Sequence, residues 1–237
     1  MTNVAQIWVY LSGSPLLALA LTLWAYRIAL LISARLGGHP LANPVALAVA
    51  FVALAITALG MPYAKYFEGA QFVHFLLGTA TVSLAVPIYQ GLAALRGKIA
   101  ALGIALVAGG VTSIASAVAV ARLLHADRLI IGGLYAKSLT TPIAMGVAER
   151  IGASPSLTAA YAVTTGVLGA VLGRFVLNGV GCRAWWQRGF AIGVAAHGIG
   201  TSRAFAVHPE AGAYASLAMG MHGVLGAVLL PWLIGNA

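Results

Sequence analysis

Apolar and polar positions alternate in this chain on the scale of whole segments. Apolar runs lie at about 7–35, 42–60, 71–90, 99–121, 129–147, 156–178, 189–206 and 211–234, with short polar punctuation between them. A helix of ~20 predominantly apolar residues spans the hydrocarbon core of a bilayer. The runs over 42–60, 99–120 and 156–177 have no polar face at helical period, which a soluble helix would need. The pattern predicts an all-α integral membrane protein, a polytopic helical bundle that forms one transmembrane domain over 1–237 and sits in membrane lipid. The opening residues, MTNVAQIW, contain no Lys or Arg. They lack the basic flank of a cleavable signal peptide, so the first run is expected to stay as a span.

Two of the runs have a different texture. The fifth, LIIGGLYAKSLTTPIAMG, holds Gly132, Gly133, Lys137, two threonines and Pro142, and the seventh contains GVAAHGIGTSRA. Such residues are accepted at membrane depth only where irregular backbone is buried in protein or lines a cavity. Both runs are read as broken or re-entrant helices, leaving about six full spans. The positive-inside bias supports this count. With Arg27 and Arg35 inside, Lys65 and Glu68 fall outside, Arg96 and Lys98 inside, and the mixed loop Arg122, His125, Asp127, Arg128 outside. If the fifth run does not cross, Arg174, Arg183 and Arg188 reach the cytoplasm; if it crosses, the most basic loop lies on the wrong side. Both termini are then expected on the periplasmic side of a bacterial inner membrane.

The heptapeptide GVLGAVL occurs twice, at Gly166–Leu172 and Gly223–Leu229, each copy after a Ser-Leu pair (Ser156-Leu157 and Ser216-Leu217). Each copy also sits in a full span that follows a broken segment. The chain thus holds two units, about 129–178 and 189–234, each with an odd number of crossings. Tandem units of that kind lie in opposite orientations, the inverted-repeat plan of secondary transporters. The alternative is a Gly-x-x-Gly packing surface that arose twice independently.

Composition sharpens this picture in three places. Charged residues are 7% of the chain and hydrophobic ones 61%. The thirteen Lys and Arg, which give a formal charge of +9, are scattered between apolar runs and read as topology signals; no nucleic-acid partner is expected. A lone cysteine, Cys182, excludes an internal disulfide and any cysteine-based metal cluster. No cofactor or metal is expected.

Polar groups at membrane depth cost about 2.5–3.5 kcal/mol each on insertion scales, so two clusters are functional candidates. One is Lys137, Ser138, Thr140, Thr141 and Pro142; the other is His197, Gly198, Gly200, Thr201, Ser202 and Arg203. A helix that restarts inside the membrane points unpaired N–H groups and the positive end of its dipole into the break, which attracts anions. Hydroxyls and the cationic side chains of Lys137 and Arg203 add to that preference. The expected substrate is a small carboxylate anion. On the opposing reading, Lys137 and Arg203 snorkel to an interface while the hydroxyls bond back to their own helix. His39, His74, His125, His208 and His222 show no metal-ligand spacing and are read as structural or interfacial. The four acids, Glu68, Asp127, Glu149 and Glu210, form no close pair, so an enzyme is not expected.

The motifs AKSLTTPIAM, PSLTA, AAHGIGTSRA and EAGAYASLAMG, in that order and spacing from about Ile130 onward, resemble the LrgB/CidB family. The likeness extends more weakly through LGTATVSLAVPIYQ to most of the chain. The resemblance implies a multi-spanning membrane protein that works beside a smaller LrgA/CidA-type membrane protein; a homo-oligomer such as a dimer is also expected. Bacterial members are described as holin/antiholin-like modulators of murein hydrolase release and cell lysis, others as pyruvate carriers, and a plastid relative exchanges glycolate and glycerate. Carried over by motif, the functional positions are Lys137, Ser138, Thr140, Thr141 and Pro142, then His197, Gly198, Gly200 and Thr201, then Glu210. Glu210 and His197 are the candidate coupling groups. The chain departs from the family pattern at Ala136 (commonly Pro), Arg203 (often Lys) and Gly146 (often Glu). The expected function is secondary transport of a small monocarboxylate of the glycolate, glycerate, pyruvate or lactate type by alternating access; the alternative is a holin/antiholin-like regulator of lysis.

Overall fold

The structure is a computed structural model, which describes residues 15–39, 42–83, 86, 89 and 97–235. The N-terminal end assigned to the periplasm above, and Arg96, lie outside the described residues. Among those residues the chain forms nine helices: α1 (Pro15–Arg35), α2 (Pro44–Ala58), α3 (Tyr63–Ser83), α4 (Ile99–Leu123), α5 (Arg128–Leu134), α6 (Thr141–Arg150), α7 (Pro155–Gly179), α8 (Trp185–Val207) and α9 (Pro209–Ile234). Five of them, α1, α4, α7, α8 and α9, are long and apolar enough to cross a membrane. The all-helical, polytopic membrane architecture is as expected.

The chain divides into two compact units, residues 1–80 and 81–237. In the first, α1 and α3 pack through small residues: a Cβ added at Gly69 would lie 2.6 Å from the Cβ of Ala18. The Thr22 and Tyr66 hydroxyls share a hydrogen bond of 2.7 Å across the same pair. Close approach of this kind is how helices associate in lipid, where there is no hydrophobic drive between them.

The second unit holds both broken segments, and each is a helical hairpin. A straight helix of 23 residues would hold its ends ~33 Å apart. In α8 the ring of Trp185 instead stacks on that of His208, just past the other end, with centroids 4.8 Å apart and planes at 7°. The reversal occurs at His197, whose φ of 38° and ψ of −132° leave helical space. Beyond it the chain folds back, so that a Cβ at Gly200 would lie 2.8 Å from the Ile192 side chain. The first hairpin is made of α5 and α6, joined by the irregular residues 135–140. Its two ends also meet, since a Cβ added at Gly132 would lie 3.1 Å from that of Ala153. Both segments are therefore re-entrant: each leaves on the side it entered.

The hairpins come from opposite ends of the unit. The mouth of the first lies by the start of α7, where Gly133 meets Tyr161, and by the end of α9, where a Cβ added at Gly235 would lie 3.7 Å from the Arg150 carbonyl oxygen. The mouth of the second lies by the end of α7, where Arg188 donates to the Asn178 side chain at 2.8 Å and to the Cys182 carbonyl at 2.7 Å. It also lies by the start of α9, where Gly189 and Gly193 seat on the carbonyls of Ala211 and Ala215. Hence α7 and α9 run antiparallel, and the two hairpin-plus-span units are inverted relative to each other.

The repeated heptapeptide has a specific place in this arrangement. Glycines of the copy in α7 bear the tip of the second hairpin: Gly169 faces Ala196, and a Cβ added at Gly166 would lie 2.7 Å from His197 Cε1. Glycines of the copy in α9 bear the tip of the first: an added Cβ would lie 2.7 Å from the Leu139 side chain at Gly226 and 2.8 Å from that of Ile143 at Gly223. The interval from Gly169 to Gly226 equals that from Leu139 to Ala196, so the two contacts are pseudo-symmetric partners. Each repeat thus carries the saddle for the other repeat's hairpin.

The mouth of the second hairpin gathers Lys98, Arg174, Arg183 and Arg188, whereas Arg122, Arg128 and Arg150 at the opposite end are accompanied by Asp127 and Glu149. The positive-inside bias assigns the former end to the cytoplasm. In a Cys182→Ala background, Arg150→Cys and Arg183→Cys should react with a membrane-impermeant maleimide from opposite faces of the membrane. Labelling of both from one face contradicts the inverted arrangement.

Candidate functional site

The two hairpin tips meet near the middle of α7. His197 Nε2 donates to the Ala162 carbonyl at 2.8 Å, and Ala162 packs in one apolar cluster with Ala136, Leu139 and Ala144 of the first hairpin. The tips are chemically unlike. At the second, His197 is 3% exposed, and its Nδ1 accepts from the Gly198 N–H at 2.9 Å. Thr201 donates to the His197 carbonyl at 2.7 Å and lies 3.8 Å from the Met219 sulfur. Both ring nitrogens are committed to backbone, and the imidazole itself caps the restarting helix. This tip is closed.

The first tip is open. Lys137, half-buried, donates from Nζ to Ser113 Oγ at 2.8 Å and to Ser138 Oγ at 3.3 Å. The two serine hydroxyls are 2.6 Å apart. Thr140 is the N-cap residue of α6 with extended backbone, yet its side chain makes no capping bond, and its buried Oγ1 has no hydrogen-bond partner. The first intrahelical bond of α6 runs from the Ala144 N–H to the Thr140 carbonyl, 2.8 Å. The N–H groups of Thr141 and Ile143 precede it, and Pro142 between them has no N–H to satisfy. Lys137, Ser113 and Thr165 line a cleft of about 500 Å³ whose walls run along Gly169, Gly173 and Leu177 toward the second hairpin's mouth. Lys137 and the hydroxyls of Ser113 and Thr165, at a cleft among apolar walls, can hold a small anion by charge-assisted hydrogen bonds, and the start of α6 on the same hairpin tip has no side-chain cap.

Of the residues picked out in the sequence, the structure gathers Lys137, Ser138, Thr140, Thr141 and Pro142 at one tip and His197, Gly198, Gly200 and Thr201 at the other. Three lie elsewhere. Ser202 is exposed; Arg203 lines a separate cleft with Arg174 and Arg188; and Glu210 is exposed in the first turn of α9, its N–H donating to His208 Nδ1 at 3.2 Å. Lys137 and Arg203 line different clefts. Sequence reasoning missed Ser113 and Thr165, which sit in spans read there only as apolar; a hydroxyl at mid-span was the available signal. Ser113→Ala should weaken anion binding several-fold, since a neutral hydrogen bond is worth about 0.5–1.5 kcal/mol. Equilibrium binding of labelled glycolate to purified protein checks this.

Comparison with known proteins agrees with the motifs. The LrgB-like family matches this chain over residues 22–235. An uncharacterized protein of Bacillus subtilis, YwbG, is 32% identical over 74% of this chain and 78% of its own length. The holin-like protein CidB of Staphylococcus epidermidis is 26% identical over 83% of this chain and 86% of its own. An uncharacterized protein of Haemophilus influenzae is 29% identical over 90% and 91%. No solved structure matches.

Proposed function

The chain belongs to the LrgB-like family, and from that premise we propose that it is a secondary carrier of small monocarboxylates in the bacterial inner membrane. The observation that carries the reading is the first hairpin tip, where Lys137, Ser138 and Ser113 converge beside the uncapped start of α6. Among the described residues the half-buried Lys137 amine bonds neutral hydroxyls, so a bound anion is what would hold it as an ammonium, and the pocket suits a carboxylate with an adjacent hydroxyl or oxo group. Inverted hairpins with their tips at mid-depth are the frame in which alternating access proceeds by moving one repeat against the other. Binding and release of the anion require no covalent chemistry. The resemblance adds a small LrgA/CidA-type membrane partner to this proposal, which also includes a homo-oligomer.

A second reading, a holin-like regulator of lysis, is favoured by the name of the staphylococcal relatives, holin-like protein CidB. The two differ in what crosses the membrane. Purified protein in liposomes, given a panel of short carboxylates together with trapped sucrose and a trapped dye, separates them. A carrier gives saturable uptake of one or a few acids with sucrose and dye retained. Loss of sucrose and dye without saturable uptake supports the regulator.

A further inference from the structure

His222 stands on the far side of the serine pair from the cleft. It lies in α9, is 6% exposed, and its buried Nδ1 has no hydrogen-bond partner. Glycine at position 110 of α4 makes room for the ring: a Cβ there would come within 3.1 Å of Nε2. The ring lines a second cavity, of about 110 Å³, with Tyr135, Ser138 and Leu139, and the cavity continues along Leu225, Leu229 and Leu233 toward the first hairpin's mouth. Ser138 faces this cavity while its hydroxyl bonds Ser113, which lines the cleft together with Lys137. The hydroxyl pair therefore partitions two half-cavities that run toward opposite ends of the unit, with the lysine on one side and the histidine on the other.

We propose, resting on the carrier reading, that His222 is the group that carries a proton across together with the carboxylate. A buried polar atom left unpaired is costly and is retained where it has work with a mobile partner. The polar side chains that line the cavity are Tyr135, Ser138 and His222, and a water held among them is what would bring a proton to Nδ1. The titratable groups that act on His222 are Tyr135, which lines the cavity with it, Lys137 of the first tip and His197 of the second; α4 presents the apolar Leu106, Val107, Gly110, Val111 and Ile114 to this cavity. His197 has both nitrogens engaged, and Glu210 sits exposed at the mouth, so neither is placed to exchange a proton at mid-depth.

The step balances. A neutral imidazole takes one proton at Nδ1 from cavity water as one carboxylate binds at Lys137, and the anion's charge favours the imidazolium across the serine pair. After reorientation the carboxylate leaves, Nδ1 returns its proton to water, and the imidazole is neutral again. The site has the same net charge loaded and empty, so the loaded and empty reorientations cancel and a complete cycle moves no net charge across the membrane.

The test counts protons. Calorimetric binding of glycolate to the purified parent, in two buffers of different ionisation enthalpy, should report about one proton taken up per anion, and His222→Gln about none. In liposomes, an inward proton gradient of one pH unit should drive about tenfold accumulation by the parent, because one unit for one proton corresponds to a tenfold ratio. For His222→Gln that ratio should fall to about one. Should the variant not fold, histidine ¹⁵N spectra of the parent decide: one imidazole must change from neutral to protonated on adding glycolate. A parent that transports without taking up a proton, a spectrum in which no histidine changes protonation, or a folded variant that accumulates like the parent overturns the role of His222 and leaves the carrier reading standing. A parent that neither binds nor moves any carboxylate overturns both.

Discussion

Lys137→Gln should stay folded in the membrane and bind carboxylates about ten- to a hundredfold more weakly than the parent. The substitution keeps a hydrogen-bonding side chain of similar length but removes the charge, and a hydrogen bond to a charged group is worth about 1.5–3 kcal/mol where a neutral one is worth about 1. Folding should survive because Lys137 is half-buried at the cleft and its partners among the described residues are the hydroxyls of Ser113 and Ser138, which keep each other. Lys65→Gln, exposed in the first turn of α3, is the control for surface charge, which concentrates an anion weakly without a site. Equal affinity in Lys137→Gln and the parent, at matched protein levels, would make the lysine structural.

The second large effect concerns the saddles. Gly169→Leu forces a side chain into Ala196 at the second tip, and Gly226→Leu into Leu139 at the first. Overpacking of this kind costs about 1–3 kcal/mol even where the surroundings yield. Here the pressed element is a hairpin tip that must also move, so uptake should fall further than stability. Thermal midpoints in detergent should drop by on the order of 5 °C, and transport should be lost for either variant. Gly146→Leu, whose added side chain would meet nothing within 4 Å, should leave the midpoint near that of the parent. If both saddle variants match the parent in midpoint and uptake, the repeated heptapeptide is only a shared composition.

These two predictions draw on different amounts of sequence information. The repeat and the broken segments were legible because lipid punishes irregular backbone: Gly132, Gly133, Lys137 and Pro142 in one apolar run, and His197-Gly198 in another, have no place in an ordinary span. That the breaks are re-entrant and not bends in full spans was left open by the residues. It follows from contacts such as Trp185 on His208, which depend on where the chain reverses. That GVLGAVL recurs was legible as well; that each copy seats the opposite hairpin was not, because the Gly226 to Leu139 contact joins residues far apart in the chain.

At the site, the cation and hydroxyls of the first tip were readable from AKSLTTP. Ser113 was hidden in an apolar span and becomes meaningful only when α4 lies against the tip. His197 attracted attention as a mid-membrane histidine, yet its ring is spent on the Ala162 carbonyl and the Gly198 N–H. His222, with no distinguishing spacing, is buried with an Nδ1 that has no partner. Sequence shows which polar groups enter the membrane; it does not show which of them the fold has already satisfied.

The central claim, a carrier that exposes one anion site to the two faces in turn, is tested most directly by counterflow. Liposomes holding the purified protein are preloaded with unlabelled glycerate and given labelled glycolate outside at a lower concentration. The account predicts that preloading accelerates entry and produces a transient accumulation of label above equilibrium, both absent in Lys137→Gln. Entry of label at the same rate with and without preload, accompanied by loss of trapped sucrose, would contradict it.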